Sequence, residues 1–249
     1  MGDSMPGEGG KLRVGIFSLS SCEGCLVQVL NLEDLLVEIL ESVDLVDCRL
    51  LGIKKDYDTL DVAIVEGSVM SDEEEMELRE LRERARVLVA LGDCACHGGK
   101  FLMKDFSLEA IPMKLPRGVT KFRSDPLDKY VKVDYYIYGC PIDSEDFLRF
   151  FKDMLLGREY RAAPYSVCAE CILRENECLL DRGIACLGPI TRGGCRAVCP
   201  SSGRPCIGCR GLAEDANLES LVEIFEEKGM EVPEYLWDLV KRVRGGERG

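Results

Sequence analysis

Histidine is almost missing from this chain: His97 is the only one in 249 residues. No nucleophile–base pair, glycine-rich nucleotide fingerprint or substrate-pocket motif can be traced, and no repeat of fixed period appears. No uninterrupted apolar run approaches the roughly 18 residues of a membrane helix. The stretch from Met1 to Lys11 is polar and glycine-rich, without the apolar h-region of a secretory signal. Positive charge is in deficit, since 32 Lys and Arg face 45 Asp and Glu for a formal net charge of −13. These absences argue against nucleic acid and anionic membrane as partners and lead to the expectation of a soluble, intracellular, cytoplasmic chain.

Cysteine is what the chain has in excess, with 14 in all. Eight of them, Cys168, Cys171, Cys178, Cys186, Cys195, Cys199, Cys206 and Cys209, crowd into one short stretch. A secreted disulfide scaffold is the rival explanation, but such scaffolds are short and use bridges in place of a core. This chain is long enough to bury a core, so its thiols are read as reduced and metal-binding. Bound thiolates would make it more acidic still.

From residue 11 to about 157, short β-rich runs alternate with helical stretches, as in a parallel α/β sheet. Strands are expected at Arg13 to Leu19, Val43 to Leu51, Asp61 to Glu66, Arg86 to Leu91 and Asp134 to Tyr138. A helix is expected over Leu26 to Leu40, where Leu26, Val29, Leu30, Leu36 and Leu40 fall near helical spacing. Ser71 followed by Glu74 forms a capping box, and Glu73 to Glu75 suit the positive end of that helix dipole. A further amphipathic helix is expected from Glu145 to Leu156. Around Arg161 to Pro164 the composition shifts to Cys, Gly, Pro and Arg with little periodicity, a region that needs metal to organise it. Helices return at Leu218 to Glu227 and Pro233 to Val243. The domains expected are therefore 11–157, 158–215 and a helical tail at 216–249.

Each strand ending carries chemistry: Cys22-Glu23-Gly24-Cys25 after the first, Glu66-Gly67-Ser68 after the third, Gly92-Asp93-Cys94 after the fourth and Gly139-Cys140-Pro141 after the fifth. The carboxyl ends of parallel strands share one edge, where ligands sit. Cys22, Cys25, Cys94 and Cys140 are thus expected to be neighbours in space. Four thiolates suit zinc or an iron–sulfur cluster equally by count; Gly24, Gly92, Gly98, Gly99 and Gly139 give room for the larger group and for N–H bonds to its sulfurs. Cys48 reads as a core thiol and Cys96 is left outside the ligand set. His97 could coordinate or relay protons, although a structural role suits a lone histidine better. Glu23 and Glu66 could carry protons or simply cap and solvate.

The other eight cysteines divide into C-x2-C-x6-C-x7-C and C-x3-C-x6-C-x2-C, with Pro200 directly after Cys199. That spacing is closer to ferredoxin-type binding than to the two C-x2-C knuckles of a zinc ribbon, with two zinc ions, or one cluster and spare thiols, as alternatives. Several redox centres without other chemistry describe an electron wire.

The ordered set Ser21-Cys22-Glu23-Gly24-Cys25, Val65-Glu66-Gly67-Ser68, Gly92-Asp93-Cys94-Ala95 with Gly98-Gly99, Tyr138-Gly139-Cys140-Pro141, and Cys186-Leu187-Gly188-Pro189-Ile190-Thr191 through Cys195 to Cys206-Ile207-Gly208-Cys209 resembles the small subunit of nickel–iron hydrogenases. The likeness spans nearly everything after residue 11. Within that family, the all-cysteine tail and Pro164-Tyr165-Ser166-Val167-Cys168-Ala169-Glu170-Cys171 are most similar to the delta subunits of archaeal cytosolic sulfhydrogenases, which are NADP-linked. The resemblance implies a flavodoxin-like domain followed by a small irregular cluster domain and C-terminal helices. It implies three [4Fe-4S] clusters: a proximal one on Cys22, Cys25, Cys94 and Cys140, a distal one on Cys168, Cys171, Cys178 and Cys186, and a medial one on Cys195, Cys199, Cys206 and Cys209. Cys168 stands where membrane and periplasmic relatives place histidine, and Cys199 where they can have proline; added thiolate charge lowers cluster potentials. The lack of a twin-arginine signal agrees with a cytoplasmic enzyme.

The resemblance further implies a large subunit that carries nickel and the hydrogen chemistry and covers the strand-end edge, and a flavin- or NAD(P)-binding partner at the other end of the wire. A subunit of a hydrogenase docked to a heterodisulfide reductase, or of a deazaflavin-reducing enzyme, keeps the wire and changes its terminus; the absence of an appended ferredoxin domain argues against the deazaflavin version, whose small subunit tends to carry one. From other classes, a free electron carrier and a zinc-stapled interaction module remain as readings.

Overall fold

The structure is a computed structural model and describes residues 11–99 and 124–232, together with Leu236 and Val240. The chain divides into two compact units, Met1–Tyr160 and Arg161–Gly249.

Among the described residues the first unit is built on six strands: β1 (Leu12–Ser18), β2 (Val43–Cys48), β3 (Ile53–Lys54), β4 (Leu60–Glu66), β5 (Ala85–Leu91) and β6 (Tyr135–Ile137). Their order across the sheet is β3-β2-β1-β4-β5-β6. All pairings are parallel except β2 with β3, an antiparallel edge. Without that edge strand the order is that of the flavodoxin-like doubly wound sheet, whose direction of winding reverses between its first and third strands. Here the reversal falls between β1 and β4.

The central strands are nearly continuous apolar runs because both faces are covered. Alternate side chains go to opposite faces: Val14, Ile16, Leu45 and Ile64 meet Leu26, Val29, Ile39, Phe147 and Phe151 on one side, while Phe17, Ala63, Val65, Leu88 and Ala90 join Leu78 and Leu81 on the other. The helices supplying these layers are α1 (Gly24–Leu30), α2 (Asp34–Ser42), α3 (Asp72–Arg84) and α5 (Ser144–Leu155), with a short α4 (Gly92–His97) between β5 and β6. The capping box on α3 is formed in both directions by Ser71 and Glu74, and four acidic residues occupy its first turn.

Two expectations need correction. The helix over Leu26 to Leu40 is two helices, because Glu33 takes a positive φ of 52° that breaks the hydrogen-bond ladder while Leu32 turns inward and is buried. The strand expected to run to Leu51 stops at Cys48; Arg49–Leu51 form a 3-10 turn that Gly52 closes at φ 66°, sending the chain back as β3 with Lys54 opposite Asp47.

The second unit holds α6 (Val167–Leu173), α7 (Val198–Ser201) and α8 (Leu218–Glu227). Isolated bridges pair Ser166 with Arg192 and Thr191 with Leu212. Asn217 caps α8 by accepting the Ser220 N–H, and Leu218, Leu221, Val222 and Phe225 on that helix are buried. The helix expected over Pro233 to Val243 lies outside the described residues except for Leu236 and Val240, both helical and buried. Among the described residues no helix is long and apolar enough to cross a membrane.

Candidate metal centres

In the first unit, the loop after β1 carries Cys22, which is exposed, and leads into α1, whose second residue Cys25 is buried. Glu23 between them adopts a left-handed conformation and pairs with Arg49. The turn of α1 is held by Glu66, the last residue of β4: its two carboxylate oxygens accept the N–H groups of Cys25 at 3.2 Å and Leu26 at 3.0 Å. This ties the β1 loop to the neighbouring strand end, as does the Ser68 N–H bonded to the Ser20 carbonyl.

The next two strand ends converge on the same place. Asp93, beside Cys94 on α4, donates its N–H to the Gly139 carbonyl beside Cys140 at 2.8 Å. Gly92 opens α4 at φ 83°, and a Cβ there would collide with Cys25 Sγ. Burial pushes the Cys25 thiol far up, with Glu66, Cys140 and Cys94 adding to the rise and the Ile142 N–H opposing it. Burial likewise pushes Cys94 up to about 12, with Asp93, Cys140, Cys22 and Glu66 contributing. Cys25 and Cys94 resist ionising first because they are buried and then because the other thiols are near, so three strand-end loops that are distant in sequence bring Cys22, Cys25, Cys94 and Cys140 within electrostatic reach of one another. Burial also raises Glu66, against the pull of the Cys25 and Leu26 N–H groups.

Cys96 and Cys48 stand apart from that group. Cys96 is buried with its Sγ against the carbonyls of Ala90 and Ile137, and Cys48 is fully buried at the end of β2. His97 is also buried; its Nδ1 lies 2.9 Å from Asp93 Oδ1 and its ring stacks on Tyr138. These contacts tie α4 to the residue that follows β6.

In the second unit, Cys168 and Cys171 sit one helical turn apart on α6. Burial raises Cys168 to about 12, reinforced by Cys186, Cys171 and Cys178, so these four thiols form a second group. A Cβ on Gly188 would lie 3.3 Å from Cys168 Sγ and 3.5 Å from Cys186 Sγ; the glycine keeps that space open. Asn176 donates to Cys171 Sγ at 3.5 Å.

Of the remaining four thiols, Cys195 precedes α7, Cys199 lies on it, and Cys206 and Cys209 follow it. Cys195 precedes two residues with positive φ, Arg196 and Ala197, and beyond them the Ala197 N–H bonds Glu170 Oε2 and the Val198 N–H the Cys195 carbonyl. Burial raises the Cys195 thiol, Arg210 opposes the rise and Glu170 adds to it. Cys206 is raised to about 12 by burial, is eased by the Thr191 hydroxyl and Gly208 N–H, and feels both Cys186 and Cys209.

N–H donors directed at sulfur, glycines where a side chain would intrude, and thiols that burial disfavours as free thiolates are what a cluster-binding loop requires. Among the described residues, no three His, Cys, Asp or Glu side chains close up around a single ion. Sequence reasoning singled out the cysteines and passed over Glu170, Arg210 and Asn176. Glu170 stood inside the C-x2-C spacing of Cys168 and Cys171; its burial was the missing signal.

The chain from 22 to 154 matches the family described as NADH ubiquinone oxidoreductase, 20 kDa subunit. It is 40% identical over 220 residues to sulfhydrogenase 2 subunit delta of Pyrococcus furiosus, covering 87% of this chain and 93% of the relative. It is 29% identical over 265 residues to a subunit of the F420-non-reducing hydrogenase of Methanocaldococcus jannaschii, covering 90% and 91%. A solved structure of the reduced, active Ni-Fe-Se hydrogenase from Desulfomicrobium baculatum shares the fold, with a TM-score of 0.55 at 16% identity over 80% of this chain and 94% of that one.

Proposed function

The chain belongs to the family of the NADH ubiquinone oxidoreductase 20 kDa subunit, among the small subunits of nickel–iron hydrogenases, and we propose that it relays electrons through three [4Fe-4S] clusters between the large-subunit nickel–iron site and a flavin- or NAD(P)-binding partner. The observation that carries the reading is the meeting of Cys22, Cys25, Cys94 and Cys140 from three strand-end loops at the carboxyl edge of the sheet, supported by the second thiol group around Cys168.

Iron–sulfur clusters bound by such thiolates supply one-electron storage and transfer. The protein's contribution is to hold and tune them. Cys22, Cys25, Cys94 and Cys140 would hold the proximal cluster; Cys168, Cys171, Cys178 and Cys186 the distal; Cys195, Cys199, Cys206 and Cys209 the medial. Glu66 fixes the turn that presents Cys25. The Ile142 N–H at Cys25 and the Gly208 N–H at Cys206 stabilise negative charge on sulfur. Burial withholds water from the same sulfurs. In this reading the hydrogen chemistry belongs to the large subunit, residues 11–157 carry the proximal site, and the enzyme works in the cytoplasm beside its nicotinamide partner. A second terminus, a heterodisulfide-reductase-type acceptor, would be reached through the same wire.

The test is elemental. Protein purified anaerobically with its companions should hold about twelve irons and twelve sulfides per copy of this chain, four for each four-cysteine site, with nickel in a companion subunit. Zinc without sulfide would replace the wire with a metal-stapled binding module.

A further inference from the structure

Glu170 is a carboxylate placed among ligands rather than beside them. It lies on α6 between Cys168 and Cys171, and it is buried at 9% exposure. Its oxygens reach across to the segment that presents Cys195. Oε1 accepts the Gly194 N–H at 2.6 Å, with the Tyr165 hydroxyl at 3.4 Å. Oε2 accepts the Ala197 N–H at 3.2 Å and lies 4.0 Å from Cys195 Sγ. The amides on both sides of Cys195 are thus anchored to one side chain, and that side chain rides on the helical turn that carries two cysteines of the other group.

The conformation of the anchored segment makes the clamp specific. Gly194, Arg196 and Ala197 all have positive φ, at 100°, 57° and 50°, a strained run for two non-glycine residues. Two N–H bonds to a buried carboxylate are strong enough to hold it, because bonds to a charged acceptor exceed neutral ones. On the far side, Arg210, nearly fully buried next to Cys209, donates Nε to the Gly193 carbonyl at 2.7 Å. The Cys195 sulfur therefore feels both the Glu170 carboxylate and the Arg210 guanidinium.

We propose that Glu170 is a positioning residue that locks the Cys195 loop to the Cys168–Cys171 helix, fixing the two C-terminal metal centres relative to each other and lowering the potential of the one Cys195 serves. The proposal rests on the reading that these cysteines hold clusters. A negative charge this close to a ligand sulfur opposes reduction, and the low dielectric around a buried group magnifies the effect. Removing the charge while retaining shape makes the cluster easier to reduce.

The experiment is a potentiometric EPR titration of the intact hydrogenase complex carrying Glu170→Gln, with iron and sulfide counted alongside. The expected result is full iron and one cluster shifted upward, on the order of tenfold in its reduced-to-oxidised ratio at a fixed potential, which is about 59 mV for one electron. Full iron with every midpoint unmoved overturns the proposal. A wild-type complex without iron or sulfide fails the function reading instead, so the two failures are distinguishable. Should Glu170→Gln not assemble, amide exchange in the unaltered complex decides: slow exchange at both Gly194 and Ala197 supports the clamp, and exchange at the rate of free loop amides overturns it.

Discussion

The backbone N–H of Cys206 donates to Cys186 Sγ at 3.3 Å. The residues belong to different proposed quartets, so a ligand of one centre is hydrogen-bonded to a ligand sulfur of the other. The contact is backed by the return bond from the Leu187 N–H to the Cys206 carbonyl at 3.0 Å. Two paramagnetic centres joined this closely should broaden one another's EPR signals when both are reduced. Cys186→Ser is expected to lower iron by about four per chain, the content of one cubane cluster held by four cysteines, and to sharpen the signal of the centre that remains. An unchanged line shape after the iron is lost would separate the two quartets.

Gly92 tests the proximal site by volume. Its φ of 83° is one that L side chains rarely adopt, and a Cβ would run into Cys25 Sγ. Gly92→Ala should lose about four irons, because the thiol must swing away from its partners to admit the methyl group. Gly203→Ala is the control: φ is 71° there but nothing lies within 4 Å of the added atom, so it should cost only the ~1–2 kcal/mol of left-handed strain and keep all its iron. Iron analysis of both variants is the measurement. Equal iron in the two would mean that Cys25 does not need the space Gly92 leaves.

How much of the fold and of the candidate site is legible in the sequence depends on the kind of interaction involved. Strands β1, β4 and β5 could be located within about a residue because burial on both faces writes itself as an apolar run, and the Ser71–Glu74 box is a local signal. The break between α1 and α2 was not legible, since it rests on a positive φ at Glu33, a residue type that does not advertise one. The turn at Gly52 was hidden behind the apolar Leu50 and Leu51, which extended the apparent strand beyond Cys48. At the candidate sites, the cysteines are visible by type, and parallel topology alone suggests which strand ends meet. Glu170 is invisible by type: a glutamate on a short helix reads as a solvated residue until its oxygens are seen bonded to the Gly194 and Ala197 amides.

Glu66 offers a choice between moving protons and holding a turn. Both of its oxygens are engaged by backbone N–H groups, at 3.2 Å and 3.0 Å, which is the geometry of a cap. Glu66→Gln retains one acceptor and removes the titratable group, so hydrogen turnover and hydrogen–deuterium exchange by the complex should stay within about twofold, a barrier change well under the 1.4 kcal/mol that makes a factor of ten. Glu66→Ala abandons both amides in a buried site and should cost roughly 2–4 kcal/mol, one unsatisfied group each, with loss of proximal iron. A collapse of exchange activity in the Gln variant that leaves its iron intact would restore Glu66 as a proton carrier.

Asp134 supplies a pH-dependent check on the frame itself. It precedes β6, where one oxygen accepts from Arg82 on α3 at 2.6 Å and from the Leu88 N–H on β5 at 2.9 Å, so one carboxylate joins a helix to two strands. Burial pushes its carboxyl up, but the Leu88 N–H and the bonds from Arg82 and Lys132 outweigh burial and hold it below the usual range. A carboxyl depressed on folding contributes stability above its unfolded value, about 3.9 for Asp, and loses it as pH falls through the lower folded value. Asp134→Asn should therefore lower stability by about 1–3 kcal/mol at pH 7, the cost of weakening a charged hydrogen-bond partner in a part-buried site. The gap to wild type should be the same at pH 5 as at pH 7, because the wild-type group is fully ionised in both states across that window. Urea midpoints for the two proteins at both pH values measure it. A gap that widens between pH 7 and pH 5 would mean the carboxyl is raised by its burial, and that the Arg82 and Leu88 bonds do not hold it ionised.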